Sequence, residues 1–131
     1  MSARAISPVL IVDDDDDLRS TLADLLAAEG YKVAAFGDAR SALAALEDGQ
    51  RPFLILLDLM MPGMSGWEFR AAQLERAALA SIPVVLVTAA TRMLNHDGHA
   101  LSGLEILRKP FDLDVLLALV DRYAGRARDG R

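Results

Sequence analysis

Short apolar runs alternate along the chain with longer segments that repeat apolar residues at helical spacing. The runs have the length of strands, and most are continuously apolar, which is typical of parallel strands covered on both faces. Five strands are predicted, at Val9–Val12, 31–36, 53–57, 82–87 and 104–107. Helices are predicted between and after them, at 15–29, 38–46, 67–80 and 112–124. This alternation predicts an α/β fold in which a doubly wound, five-stranded parallel sheet carries helices on both faces.

An uninterrupted run of aspartates, Asp13–Asp17, directly follows the first apolar run. Like charges repel one another, so a folded domain must offset them. Asp15, Asp16 and Asp17 fall at the predicted start of the first helix, where free N–H groups and the helix dipole favour negative charge. Capping does not explain the two aspartates before them, Asp13 and Asp14, which are therefore candidates for chemistry.

Polar side chains follow four of the five predicted strands. They are Asp13 and Asp14 after the first strand, Asp58 after the third, Thr88 after the fourth and Lys109 after the fifth. Because the carboxyl ends of parallel strands meet at one edge of the sheet, where such folds bind ligands, we expect these side chains to converge. Three carboxylates in one crevice cannot all stay ionised cheaply without a cation. Ligand sets made only of oxygen atoms favour Mg²⁺ over Zn²⁺.

The same set of residues suits phosphoryl transfer. A carboxylate beside Mg²⁺ can attack phosphorus and form an aspartyl phosphate. A hydroxyl and an ammonium group would then contact the remaining phosphoryl oxygens, and Thr88 and Lys109 fit these two roles. Lys109 is one of two lysines in a chain that otherwise uses arginine as its basic residue, which marks it as a specific choice.

Composition narrows the function classes further. The length of 131 residues corresponds to about one domain. The chain has no cysteine, which excludes disulfides and thiolate chemistry, and its net charge of −5 argues against direct nucleic acid binding. No apolar run approaches the length of a membrane span, and no signal-peptide pattern begins the chain. A cytoplasmic protein without membrane contact is expected.

Four motifs together resemble the receiver domain of bacterial two-component response regulators, of the chemotaxis-regulator type. They are LIVDD at 10–14, LLDLMMPGMSG at 56–66, VLVT at 85–88 and KPF at 109–111. Each motif alone is weak, but their order and spacing are specific. The resemblance implies a flavodoxin-like three-layer sandwich with strand order 2-1-3-4-5. It covers residues 8–124, with an N-terminal extension at 1–7 and a flexible tail or linker start at 125–131.

The resemblance also implies a role for each site residue. Asp58 would accept a phosphoryl group from a histidine kinase or a phosphotransfer protein. The Mg²⁺ ligands would be Asp13, Asp14, Asp58 and the backbone carbonyl of Met60, with Asp14 the more direct ligand and Asp13 acting partly through water.

The other implied roles concern the phosphoryl group and the signal. Thr88 and Lys109 would contact the phosphoryl oxygens, and the peptide bond before Pro110 is expected to be cis. The output protein or domain is not identified by the sequence, and a homodimer is compatible with the resemblance. The protein would not be an enzyme beyond its own phosphorylation and dephosphorylation.

Two features depart from the usual receiver pattern. Ile106 stands at the switch position, where the family usually has an aromatic residue that rotates on activation. The segment 91–103 is polar and lacks the regular amphipathic pattern of a fourth helix, so a short helix, a distorted helix or a mobile segment is expected there. Both features would fall on the face that receivers usually use for output.

Two alternative functions stay open from the sequence. The first is a receiver-like interaction module whose output does not depend on phosphorylation, which the departures at Ile106 and 91–103 favour. The second is a Mg²⁺-dependent phosphohydrolase with Asp13 as nucleophile and Asp15 as acid. The phosphohydrolase hypothesis leaves Asp58 unexplained and leaves no room for a cap domain to gather substrate.

Overall fold

Parallel strands form the centre of the molecule. In the computed structural model, residues 7–89, 101 and 103–128 are described. Among them, five strands pair in the order β2-β1-β3-β4-β5, and every pair is parallel. The strands are β1 (Val9–Val12), β2 (Val33–Phe36), β3 (Leu54–Leu57), β4 (Val84–Thr88) and β5 (Glu105–Arg108). The predicted fold class and strand order are confirmed.

Helices cover both faces of this sheet. They are α1 (Asp16–Ala28), α2 (Ala39–Glu47), α3 (Gly66–Leu74), the short α4 (Ala77–Ala80) and α5 (Leu113–Arg128). Alternate residues of each central strand point to opposite faces, so Ile11 packs with α1 and α5 while Leu10 packs with α2 and α3. This division produces two separate apolar cores and a three-layer sandwich.

Local sequence explains where the first two helices begin and where α1 ends. The side chain of Asp15 accepts a hydrogen bond from the Leu18 N–H, and Asp38 caps α2 in the same way. After α1, Gly30 adopts a φ of 94°, and the N–H of the next residue, Tyr31, donates to the carbonyl of Leu26. This arrangement is a Schellman motif, which turns the chain back toward β2.

The predicted single helix at 67–80 is wrong, because the structure divides it into α3 and α4. Arg76 takes an extended conformation between the two, with φ −110° and ψ 114°. The side chain of Gln73 is fully buried, and its amide nitrogen donates to the carbonyls of Leu79 at 2.9 Å and Ile82 at 3.0 Å. These hydrogen bonds tie the end of α3 to the segment before β4. If residues 67–80 formed one continuous helix, the side chain of Gln73 could not reach these two carbonyls.

The last helix is longer than the predicted 112–124 and extends into the segment 125–131, for which a flexible tail or linker start is predicted. The last helix continues past position 124 and ends at Arg128. Ala124 is buried at 6% exposure, and the guanidinium of Arg126 lies 4.7 Å from the ring centre of Tyr123. This cation–π contact and the burial favour continuation of the helix past its predicted end at position 124.

The atypical segment at 91–103 lies outside the described residues except for Leu101 and Gly103. Within the described part of the chain, no helix has the length and apolar character that crossing a bilayer requires.

Candidate functional site

Three carboxylates meet at the carboxyl end of the sheet. Asp13 follows β1 and Asp58 follows β3, and these two strands pair in register, with Val12 opposite Leu57. One oxygen atom from each of Asp13, Asp14 and Asp58 lies within 4.8 Å of the others. Asp13 and Asp58 are buried, whereas Asp14 is exposed. A cluster of carboxylates open to solvent on one side could hold a hard divalent cation.

Lys109 brings a positive charge to the same cluster. Its Nζ lies 2.9 Å from Oδ2 of Asp13 and 3.8 Å from Oδ2 of Asp58. The Lys109 N–H donates to the carbonyl of Thr88 at 3.0 Å, so the β4–β5 pairing continues into the site. Thr88 ends β4 with an exposure of 1%. The peptide bond between Lys109 and Pro110 is cis.

The loop after β3 folds back tightly beside Asp58. Leu59 is fully buried while Met60, the next residue, is 53% exposed, so the chain reaches the surface immediately after the acidic cluster. The chain then returns to start α3, where the Gly66 N–H donates to the Leu59 carbonyl at 2.9 Å. Ser65 and Glu68 form a capping box that fixes the first turn of α3.

Comparison with known proteins identifies the family. The family model for the response regulator receiver domain matches residues 9–121. The chain belongs to this family. As a receiver domain, it is a module of two-component signalling.

Curated relatives agree with this assignment. The sensory transduction protein RegX3 of Mycolicibacterium smegmatis is 37% identical over 125 residues, which cover 95% of this chain and 53% of the relative. The DNA-binding response regulator MtrA of the same organism is 37% identical over 122 residues, which cover 92% of this chain and 52% of the relative. The receiver chain therefore spans about half the length of these relatives. The name of MtrA describes the whole relative as DNA-binding, which conflicts with the prediction of no direct nucleic acid binding. For the receiver part alone, that prediction stays a prediction.

Solved structures show the same fold. The chemotaxis protein CheY4 of Vibrio cholerae aligns with a TM-score of 0.79 and 31% identity, over 89% of this chain and 98% of that one. The response regulator TrrA of Thermotoga maritima, solved in complex with Mg(2+)-BeF, aligns with a TM-score of 0.76 and 27% identity, over 89% of this chain and 98% of that one.

The receiver environment makes Asp58 harder to ionise than an ordinary aspartate. Burial raises the pKa of Asp58 above its usual value, and the negative charge of Asp13 raises this pKa further. The charge of Lys109 and a hydrogen bond from the Met60 N–H lower the pKa of Asp58, but they do not outweigh the other causes. A cation at the cluster would offset this cost.

We therefore expect Asp58→Asn to stabilise the receiver when divalent cations are removed. Since the folded-state pKa of Asp58 lies above the unfolded value, ionised Asp58 costs stability at neutral pH. This cost fades as the pH falls through the folded-state pKa toward the unfolded value. The free energy of unfolding of the variant should exceed that of the parent by about 1 kcal/mol at neutral pH, and the gap should narrow on acidification.

The measurement is urea unfolding in a chelator across a range of pH. Asp24→Asn is the matched control, because Asp24 is exposed on α1 and should leave the unfolding midpoint unchanged. A less stable Asp58→Asn variant at neutral pH would show that Asp58 is held favourably as the anion, contrary to the expected direction.

Ile106 is not brought into the acidic cluster. It lies on β5 with 44% of its surface exposed and lines a surface groove together with Val115 and Leu119 of α5. Its neighbour Glu105 accepts two hydrogen bonds from Arg122, at 2.7 and 3.1 Å, which fasten β5 to α5. The residue at the predicted switch position is therefore an exposed aliphatic one.

Sequence reasoning missed one residue that contacts the cluster. Arg19 of α1 donates from Nη1 to the backbone carbonyl of Asp13 at 2.8 Å. In the sequence Arg19 is one polar position on an amphipathic helix, and the pattern does not distinguish it from its exposed neighbours. Gly37, directly after β2, is the signal that could have indicated it, because a glycine there leaves room for a large side chain over the neighbouring strand end.

Proposed function

We propose that this receiver accepts a phosphoryl group on Asp58 from the phosphohistidine of a histidine kinase or phosphotransfer protein. An oxygen of the Asp58 carboxylate attacks phosphorus, the phosphorus–nitrogen bond breaks, and the imidazole leaves with its electron pair. The observation that carries the proposal is the position of a buried Asp58 between two further carboxylates and the ammonium group of Lys109.

The proposed cation is Mg²⁺, held by Asp13, Asp14, Asp58 and the backbone carbonyl of Met60. The donors fit this ion, because the cluster consists of carboxylates and the ion prefers oxygen ligands. When bound, Mg²⁺ would neutralise charge on the cluster and on the phosphoryl oxygens. The complex of the related TrrA with Mg(2+)-BeF supports this choice.

The remaining residues have positioning and electrostatic roles in the proposal. Lys109 holds Asp13 in place before the reaction and contacts a phosphoryl oxygen afterwards, because its Nζ lies between Asp13 and Asp58. The hydroxyl of Thr88 contacts a second phosphoryl oxygen. Burial of Asp58 and Thr88 excludes water from the side of the site that faces the core.

A second candidate is a receiver-like interaction module that signals without phosphorylation. The exposed aliphatic side chain of Ile106 favours it, because that position offers no aromatic ring to rotate. Signalling without phosphorylation can be distinguished from acceptance of a phosphoryl group. The test below therefore asks directly whether Asp58 is phosphorylated.

The test is phosphorylation of the purified chain by acetyl phosphate with Mg²⁺, followed by intact-mass measurement. We expect one phosphoryl group on the parent and on Asp24→Asn, and none on Asp58→Asn or in the presence of a chelator. Phosphorylation that survives Asp58→Asn would place the acceptor elsewhere. A parent that is not phosphorylated would favour the interaction module.

A further inference from the structure

We propose that Arg19 is a positioning residue for the cation site, acting on Asp14 through the backbone of Asp13. This inference rests on the proposed function, because it concerns binding of Mg²⁺. The direct observation is the hydrogen bond of 2.8 Å from Arg19 Nη1 to the carbonyl oxygen of Asp13.

Asp13 is held from several directions. Its N–H donates to the carbonyl of Phe36 in β2 at 3.1 Å, and its carbonyl accepts from Arg19. Its side chain accepts from the Asp15 N–H at 3.0 Å and pairs with Lys109 at 2.9 Å. Of these contacts, only the one from Arg19 acts on the peptide group that joins Asp13 to Asp14.

That peptide group decides where the carboxylate of Asp14 points. A peptide unit is planar, so fixing its carbonyl oxygen orients the plane that leads into Asp14. Asp14 is exposed, and packing therefore constrains its side chain less than it constrains the buried Asp13. Arg19 thus preorganises the exposed ligand of the cluster.

The neighbouring strand is shaped to admit the guanidinium group. A Cβ atom at Gly37 would lie 3.0 Å from Nη1 of Arg19 and 3.3 Å from its Cζ. These distances are shorter than ordinary van der Waals contact, so an alanine at position 37 would force the guanidinium to shift by a few tenths of an ångström and would disturb its hydrogen bond to the Asp13 carbonyl. Gly37→Ala changes no charge, which makes it a useful second variant.

The ion pair of Arg19 with Asp16 does not account for the placement. The two groups are 2.5 Å apart, but the Asp16 side chain is 85% exposed, and exposed pairs contribute little. The Arg19 side chain is only 23% exposed, as expected for a group anchored on the backbone beneath it.

Charge and positioning predict opposite results, which makes the proposal testable. Arg19→Ala removes a positive charge near the cluster, and simple electrostatics would then strengthen cation binding. Loss of positioning would weaken it. We expect Arg19→Ala to weaken Mg²⁺ binding by about tenfold, the scale seen when groups that orient metal ligands are removed.

The experiment is calorimetric titration of the full chain with Mg²⁺ alone, at a temperature below the melting point of every variant. Arg19→Lys keeps the charge but not the fork of donors. Its increase in the logarithm of the Mg²⁺ dissociation constant should be about half of the increase for Arg19→Ala. Gly37→Ala should weaken binding in the parent but not in the Arg19→Ala background, because both changes act on one contact. Arg40→Ala removes an exposed charge from the first turn of α2 and should not weaken binding.

The outcomes separate this inference from the proposed function. A parent that binds no Mg²⁺ would overturn both. A parent that binds Mg²⁺ and is phosphorylated, with Arg19→Ala binding as tightly or more tightly, would overturn the role of Arg19 alone. Additive losses in the Gly37→Ala, Arg19→Ala double variant would also overturn it.

Discussion

Lys109→Met is expected to slow phosphorylation of Asp58 by a small phosphodonor by about a hundredfold, the usual loss when one preorganised charge or donor is removed from a reacting centre. Methionine has a similar length but no charge. Without the ammonium group, Asp13 loses a partner at 2.9 Å, and charge that develops on the phosphoryl group meets no cation from β5. The measurement is the initial rate of acetyl phosphate labelling at saturating Mg²⁺.

The same substitution should change the ionisation of Asp58 in the cation-free site. The positive charge of Lys109 lowers the pKa of Asp58, so its removal raises that pKa further. Titration of the Asp58 carboxylate in a chelator, followed by NMR, should therefore give a higher pKa in Lys109→Met than in the parent. A slower labelling rate with an unchanged pKa would leave only the contact to the phosphoryl group as the role of Lys109.

Lys32→Met is the matched control, because Lys32 is the other lysine of the chain. It is exposed beside the start of β2, at the end of the sheet opposite the acidic cluster. It should be phosphorylated at the parental rate. Equal loss in both variants would indicate a general effect of net charge and contradict the specific role of Lys109.

The sheet and the acidic cluster could be predicted from sequence because both depend on local signals. Each strand body is apolar, and the polar residue after it stands where the strand ends. Parallel pairing then brings these ends together without further information, so Asp13 and Asp58 become neighbours once Val12 pairs with Leu57. The distances that decide the chemistry, such as those of Lys109 to the two carboxylates, required the structure.

The division of the third helix could not be predicted, because it depends on a tertiary contact. Residues 71–80 have high helix propensity, and no glycine or proline marks a break. Gln73 becomes fully buried and uses its amide to satisfy the carbonyls of Leu79 and Ile82. Once these hydrogen bonds form, local propensity at Arg76 is overridden. The contact of Arg19 was missed for a related reason, since its partner is a backbone carbonyl; Gly37 indicates only that there is room for a side chain, not which side chain fills it.

Gly66→Ala is expected to lower the free energy of unfolding by about 3 kcal/mol, which is large for the addition of one methyl group. A Cβ atom at position 66 would lie 2.6 Å from the carbonyl oxygen of Asp58 and 2.8 Å from the Cα of Leu59. Both are backbone atoms and cannot rotate away. The start of α3 must therefore move away from β3, which breaks the hydrogen bond from the Gly66 N–H to Leu59.

The clash lies next to the proposed phosphoacceptor, so stability and function should fall together. Displacing the backbone of Asp58 and Leu59 moves the carboxylate and the Met60 carbonyl out of the arrangement proposed for Mg²⁺ binding, and this binding should weaken as well. Urea unfolding and calorimetric titration measure the two effects. Gly125→Ala is the control, because its Cβ would meet no atom within 4 Å and alanine favours a helix. If Gly66→Ala were as stable as the parent and bound Mg²⁺ normally, α3 would not be held against the acidic cluster as described.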